Sequence, residues 1–79
     1  MTYIILSTRQ QDTILFTEVE YNFDGTIVNV EVAHFNPQSI EEITSNIINR
    51  ASSELDRITI ANQITNLIPS IEINQTNNI

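Results

Sequence analysis

The sequence predicts a small α+β domain: a three-stranded antiparallel sheet with one long C-terminal helix packed on its apolar face. Three observations carry this. Thr13 to Phe35 alternates apolar and polar residues on both sides of an Asp24-Gly25 pair. Ser39-Ile40-Glu41-Glu42 then opens a run of apolar residues spaced by three and four. Pro37 separates the two patterns and Pro69 closes the second. The sheet is expected over about residues 2–35, the helix over about 40–67 and a short tail over 70–79, within a single domain spanning 1–79.

Thr2 to Thr8 (TYIILST) reads as a first strand, short and β-branched. Arg9-Gln10-Gln11-Asp12 reads as a polar connection. The hairpin follows. A two-residue Asp-Gly link suits a type I′ turn, which needs positive φ at both central positions. With Asp24 and Gly25 in the turn, paired residue numbers sum to 49. Tyr21 then faces Val28, Val19 faces Val30, Thr17 faces Val32 and Leu15 faces His34. Side chains alternate along a strand, so the other face carries Asn22 with Ile27, Glu20 with Asn29, Glu18 with Glu31 and Phe16 with Ala33. A one-residue slip sends the glutamates into the core, which pins the register. One apolar and one polar face mark an antiparallel sheet with one wet side.

Asn36-Pro37-Gln38 ends the sheet, because proline cannot donate to a ladder. Ser39 caps the helix, and Glu42 reaches back to the Ser39 amide in a capping box. Glu41 and Glu42 suit the positive end of the helix dipole. Ile40, Ile43, Ile47, Ala51, Leu55 and Ile58 form an amphipathic stripe. The pattern continues less cleanly through Ile60, Ile64, Leu67 and Ile68. Ser53 offers an alternative cap for a second helix, and Ile58-Thr59-Ile60 is a β-branched cluster in the middle of the run. One continuous helix is the expectation. The core is expected to join Leu15, Val19, Tyr21, Val28, Val30 and Val32 to Ile43, Ile47, Ala51, Leu55 and Ile58. The tail reads as an uncomplicated polar end. Its alternative is a strand added to a sheet edge, its own or a neighbour's, with Ile71 and Ile73 on one side.

The 79 residues carry a net charge of −7, with three arginines, no lysine, ten acidic residues and no cysteine. Phosphate neutralisation dominates nucleic-acid affinity, so this balance argues against direct nucleic-acid binding. It disfavours anionic membrane surfaces for the same reason. No apolar run approaches the roughly 20 residues of a membrane span. The first residues lack the basic and small-residue features of a signal peptide, so synthesis and folding in a cytoplasm are expected. A domain this small buries little, and without disulfides it gains stability by associating. Lysine is depleted at interface cores, which suits a surface that packs on neighbours.

Chemistry is sparse. His34 is the only histidine and falls on the inward row. The ordinary reading is a partly buried histidine bonded to backbone; the functional one is a metal ligand or proton carrier. Glu18, Glu20 and Glu31 share the polar face, where opposed like charges cost stability. They read as a solvated face, a contact for a basic partner, or a cation holder, though no EF-hand spacing is present. Gly25 is the only glycine, which removes phosphate-cradling loops. Arg50, Glu54 and Arg57 lie within ion-pair reach and read as a solvated helix face. No set of nucleophile, base and oxyanion donor is evident, so no enzyme, cofactor, metal or small-molecule substrate is expected. Glu18, Glu20, Glu31, Ile71 and Ile73 are the expected partner contacts.

Phe23-Asp24-Gly25-Thr26, Ala33-His34-Phe35, Pro37-Gln38-Ser39 and Asn49-Arg50 carry a resemblance over Tyr21 to Glu54. This segment, a little under half the chain, resembles small uncharacterised proteins of tailed-bacteriophage genomes. The resemblance implies a viral setting and no activity. The expected function is that of a non-enzymatic virion structural protein acting by protein–protein contact, as capsid decoration or a head–tail component, made in the host cytoplasm and self-associating or bound to other virion proteins. The alternative is an acidic inhibitor of a host nucleic-acid-binding or defence protein. A cellular regulatory or chaperone-like binding module ranks third.

Overall fold

Asp24 and Gly25 both take positive φ, 54° and 103°, and the hairpin they close has the sum-of-49 register from Phe23–Thr26 to Ile14–Phe35. Asn22 braces the turn, its Oδ1 accepting from the Gly25 amide at 2.7 Å. A computed structural model describes Met1–Ile79. Its elements are β1 (Thr2–Gln11), β2 (Ile14–Phe23), β3 (Thr26–Phe35), α1 (Ile40–Leu67) and a 3₁₀ turn (Ile68–Ser70). The three strands form one antiparallel sheet in the order β1-β2-β3, and α1 lies on one face of it. The fold is α+β, as the sequence predicts.

β1 corrects the sequence reading. It does not stop at Thr8 but runs to Gln11, and only Asp12 and Thr13 separate it from β2. Asp12 accommodates the turn at φ 53°, a conformation that Asp tolerates better than most residues. The ladder shifts by one residue between Ile5 and Ser7, a β-bulge at Leu6. Tyr3 and Ile5 pair with Tyr21 and Val19 and so share the helix-bearing face. Beyond the bulge, Ser7 and Arg9 pair with Glu18 and Phe16 and share the opposite face. The extra residue lets both halves of β1 meet the sheet with the correct side outward.

Ser39 caps α1, its Oγ accepting from the Glu42 amide at 3.1 Å. The reciprocal bond differs from expectation. Glu42 Oε2 accepts from the Gln38 amide at 2.9 Å, one residue upstream of the cap. The helix runs unbroken past Ser52-Ser53. Thr59 and Thr65 donate to the Leu55 and Ala61 carbonyls, which satisfies their hydroxyls within the helix. Leu67 is its last residue, Pro69 lies in the 3₁₀ turn, and Ile71 to Ile79 form no strand. The tail does not add to the chain's own sheet.

The core is small. Val19, Tyr21, Phe23, Val32, Ile47 and Ala51 are its buried apolar residues, with Val28, Val30, Ile43 and Ile58 packed around them. Leu15 is only half-buried, and Leu55 is 43% exposed. Glu54 holds the inward place expected of Leu55, because Ile47, Ala51, Glu54 and Ile58 follow the helical repeat and Leu55 lies to one side. Phe23 extends the inward row to the turn and stacks on Tyr21, ring centroids 5.6 Å apart.

Three strands span about 14 Å and a helix about 10 Å, so one helix cannot cover this sheet. α1 covers β2 and β3 and does not reach β1. The helix, about 42 Å long, also overshoots a ten-residue strand of about 33 Å. The molecule measures 57 × 29 × 17 Å with a radius of gyration of 18.2 Å. A compact domain of this length has a radius near 12 Å. No helix is long and apolar enough to cross a membrane.

Candidate functional site

The one triad-like arrangement is sealed. Asn46 Nδ2 donates to His34 Nδ1 at 3.0 Å, which leaves the imidazole proton on Nε2 to donate to Thr17 Oγ1 at 2.9 Å. Hydroxyl, imidazole and amide thus stand in line, yet Thr17 and His34 are 1% and 0% exposed. No substrate reaches the hydroxyl, and the tautomer aims the imidazole proton at it rather than accepting from it. His34 is bonded to two side chains, not to backbone as expected. Burial holds its pKa below the usual histidine value of 6.5, against an opposing pull from Glu42.

Glu54 is the second buried polar group, and it corrects the reading of Arg50, Glu54 and Arg57 as a solvated face. Its carboxylate accepts from Arg50 Nε at 3.1 Å and from Arg57 Nε at 2.9 Å. The Arg57 hydrogen bond, with Arg50 assisting, outweighs burial and holds the carboxyl below the usual range. The arginines close over the end of the core while their own side chains stay partly in water. An open groove of about 490 Å³ follows β3 and α1, its lining including Phe35, Glu42, Asn46, Asn49 and Arg50. No group of three or more His, Asp or Glu side chains is placed to hold a metal ion.

Glu18, Glu20 and Glu31 do meet on the face away from the helix. Two are already engaged there. Ser7 Oγ donates to Glu18 Oε2 at 3.0 Å. Arg9 forks onto both oxygens of Glu31, at 2.8 and 3.3 Å, with its guanidinium 3.9 Å over the Phe16 ring. Ser7 lies within the strand expected from the sequence and the extension of β1 adds Arg9, so the acidic cluster is less bare than the hairpin alone suggested. Ile71 and Ile73 are exposed in the tail, far in sequence from this face.

The largest unsatisfied feature is apolar. Tyr3, Ile5 and Leu6 on β1 are 37%, 44% and 47% exposed. Ile60, Ile64, Leu67 and Ile68 at the projecting end of α1 are more exposed still, and Ile71 and Ile73 continue the series. The chain exposes 6214 Å², whereas a compact monomer of its mass exposes about 4,900 Å². The sequence held one signal of this surface that the expected contacts missed. Residues 1–8 and 58–71 contain no charged side chain, in a chain with ten acidic residues.

The chain matches no protein-family model, no curated protein and no solved structure.

Proposed function

We propose that this protein is a non-enzymatic structural component of a phage particle that works by protein–protein contact in multiple copies, as capsid decoration or a head–tail part. The observation that carries the contact reading is the uncovered apolar surface: one strand of three lacks a covering layer, and the last third of the helix packs on nothing. A sheet or helix with an apolar face must bury it against another element. Exposed apolar patches of this extent mark interaction sites. The sealed Thr17–His34 pair supports a non-enzymatic reading, since the best-aligned polar groups serve the core. The viral setting rests on the resemblance over Tyr21 to Glu54.

The acidic-inhibitor reading draws on the net charge of −7 but receives less support, because Arg9 and Ser7 already occupy two of the three glutamates. Two measurements test the proposal. Light scattering on the purified protein is expected to give an oligomer; a monomer at all accessible concentrations overturns self-association. Mass spectrometry of purified phage particles from the source genome is expected to detect the chain; its absence overturns the virion assignment.

A further inference from the structure

We infer that two copies of this chain pair antiparallel through the projecting end of α1, about a two-fold axis at Ile64. The inference rests on the self-association reading above and gives it a geometry.

At 100° per residue, Ile43, Ile47, Ala51, Glu54 and Ile58 share one helix face, the face that meets the sheet. Ile60, Ala61, Ile64, Leu67 and Ile68 share a second face, about 120° wide and centred on Ile64. This second face lies about 100° around the helix from the first. It is therefore not a continuation of the core stripe. Every residue from Thr59 to Ile79 is exposed, so nothing in the chain itself covers this face.

The occupant is a second copy for three reasons. First, a strongly acidic chain repels itself wherever charges meet, and Ile58 to Ile71 is its longest stretch without one. A foreign partner is commonly selected by charges flanking the seam. Here the flanking residues are Gln63 and Thr65, about 100° to either side of Ile64, which offer none. Second, the face is self-complementary. Antiparallel pairing at Ile64 brings Ile60 level with the partner's Ile68, and it sets the large Leu67 beside the partner's Ile60 and the small Ala61 beside the partner's Ile68, reciprocally as a two-fold contact requires. Third, the chain exposes about 1,300 Å² more than a compact monomer, a surplus shared by this face, the tail and the uncovered β1, and a contact of roughly 800 Å² per partner that takes in this face and the tail fits within it. The pairing also carries Ile71 and Ile73 back along the partner's helix toward its sheet, which brings those tail residues into the contact.

The chain has no cysteine, so single-cysteine variants report contacts cleanly. Oxidised Ile64→Cys is expected to run as a disulfide dimer on a non-reducing gel, and Ser53→Cys to remain a monomer there. Mixed Ile60→Cys and Ile68→Cys proteins are expected to cross-link to each other, and neither to itself. Ile64→Glu is expected to give a folded monomer, with unchanged sheet signal by circular dichroism. Self-linking of Ile60→Cys with no mixed product overturns the antiparallel geometry. A wild-type oligomer that neither cross-links through Ile64→Cys nor responds to Ile64→Glu overturns this pairing and leaves self-association standing. A wild-type monomer overturns both.

Discussion

The Tyr21 hydroxyl donates to the Ile47 carbonyl at 2.6 Å, joining the C-terminal part of β2 to the N-terminal third of α1. Both residues are essentially fully buried, so this bond forms in the core and not at its rim. Burial raises the Tyr21 pKa, which keeps the phenol protonated and able to donate. Tyr21→Phe keeps the ring stacked on Phe23 and loses only the bond, at an expected cost of about 1 kcal/mol. Tyr21→Ala also opens a cavity and is expected to cost about 3–5 kcal/mol. Urea midpoints of the two variants check the difference; equal losses refute a distinct role for the hydroxyl.

Gly25 sits at φ 103° with open space where a Cβ would stand. Crowding is therefore absent, and any penalty is one of backbone conformation. Gly25→Ala is expected to lower stability by about 1–2 kcal/mol. The readout is the thermal midpoint beside that of Thr26→Ala, a neighbouring exposed position that carries no such constraint.

His34 makes stability depend on pH with a definite sign. Its folded pKa lies below the usual 6.5, so between the two values the unfolded chain binds more protons than the folded one. Stability is full above the unfolded value and falls as pH drops through this window. Carboxylates remain largely ionised down to about pH 5, so a loss between about pH 7.5 and 5 reports the imidazole. Urea unfolding across that range is the measurement, and greater stability on acidification refutes the buried neutral form.

Glu54 behaves differently. Its folded pKa is also depressed, but from 4.5, so its contribution is full above that value and is lost on stronger acidification. Losing one arginine leaves it the other; losing both strands a buried carboxylate. The double variant Arg50→Gln with Arg57→Gln is expected to lose about 1–3 kcal/mol. Adding Glu54→Gln is expected to restore part of that, since neutralising a stranded group removes the penalty. Denaturation of the series checks whether the third change recovers stability.

The hairpin and the cap were legible because each rests on local chemistry: Asp24-Gly25 for the turn, Ser39 and Glu42 for the helix start. The end of β1 was not. Arg9-Gln10-Gln11 is polar, and no helix lies above it to demand apolar residues. The bulge at Leu6 also breaks the alternation that marks a strand. The apolar run from Ile60 to Ile68 read as a blurred continuation of the core stripe, because two faces about 100° apart overlap in a single spacing count. Glu54 was visible as an ion-pair partner, but its burial follows from Leu55 falling to one side of the stripe, which spacing alone leaves ambiguous. Of the expected partner contacts, the glutamates meet on one face and Ile71 and Ile73 remain exposed, yet the broadest uncovered surface was marked by missing charge, not by any residue type.

Association and folding are expected to be linked in this chain. Six buried apolar residues are a small core for 79, and the chain leaves more surplus surface than the roughly 800 Å² each partner of a dimer buries. A partner that binds the folded chain alone stabilises it by mass action, so the unfolding midpoint must rise with protein concentration. Thermal unfolding over a hundredfold concentration range is expected to show that rise for the wild type. Ile64→Glu is expected to flatten it and to give the lower midpoint throughout, because the substitution removes the contact without touching the core. A wild-type midpoint that does not move with concentration shows instead that the single chain is stable on its own small core.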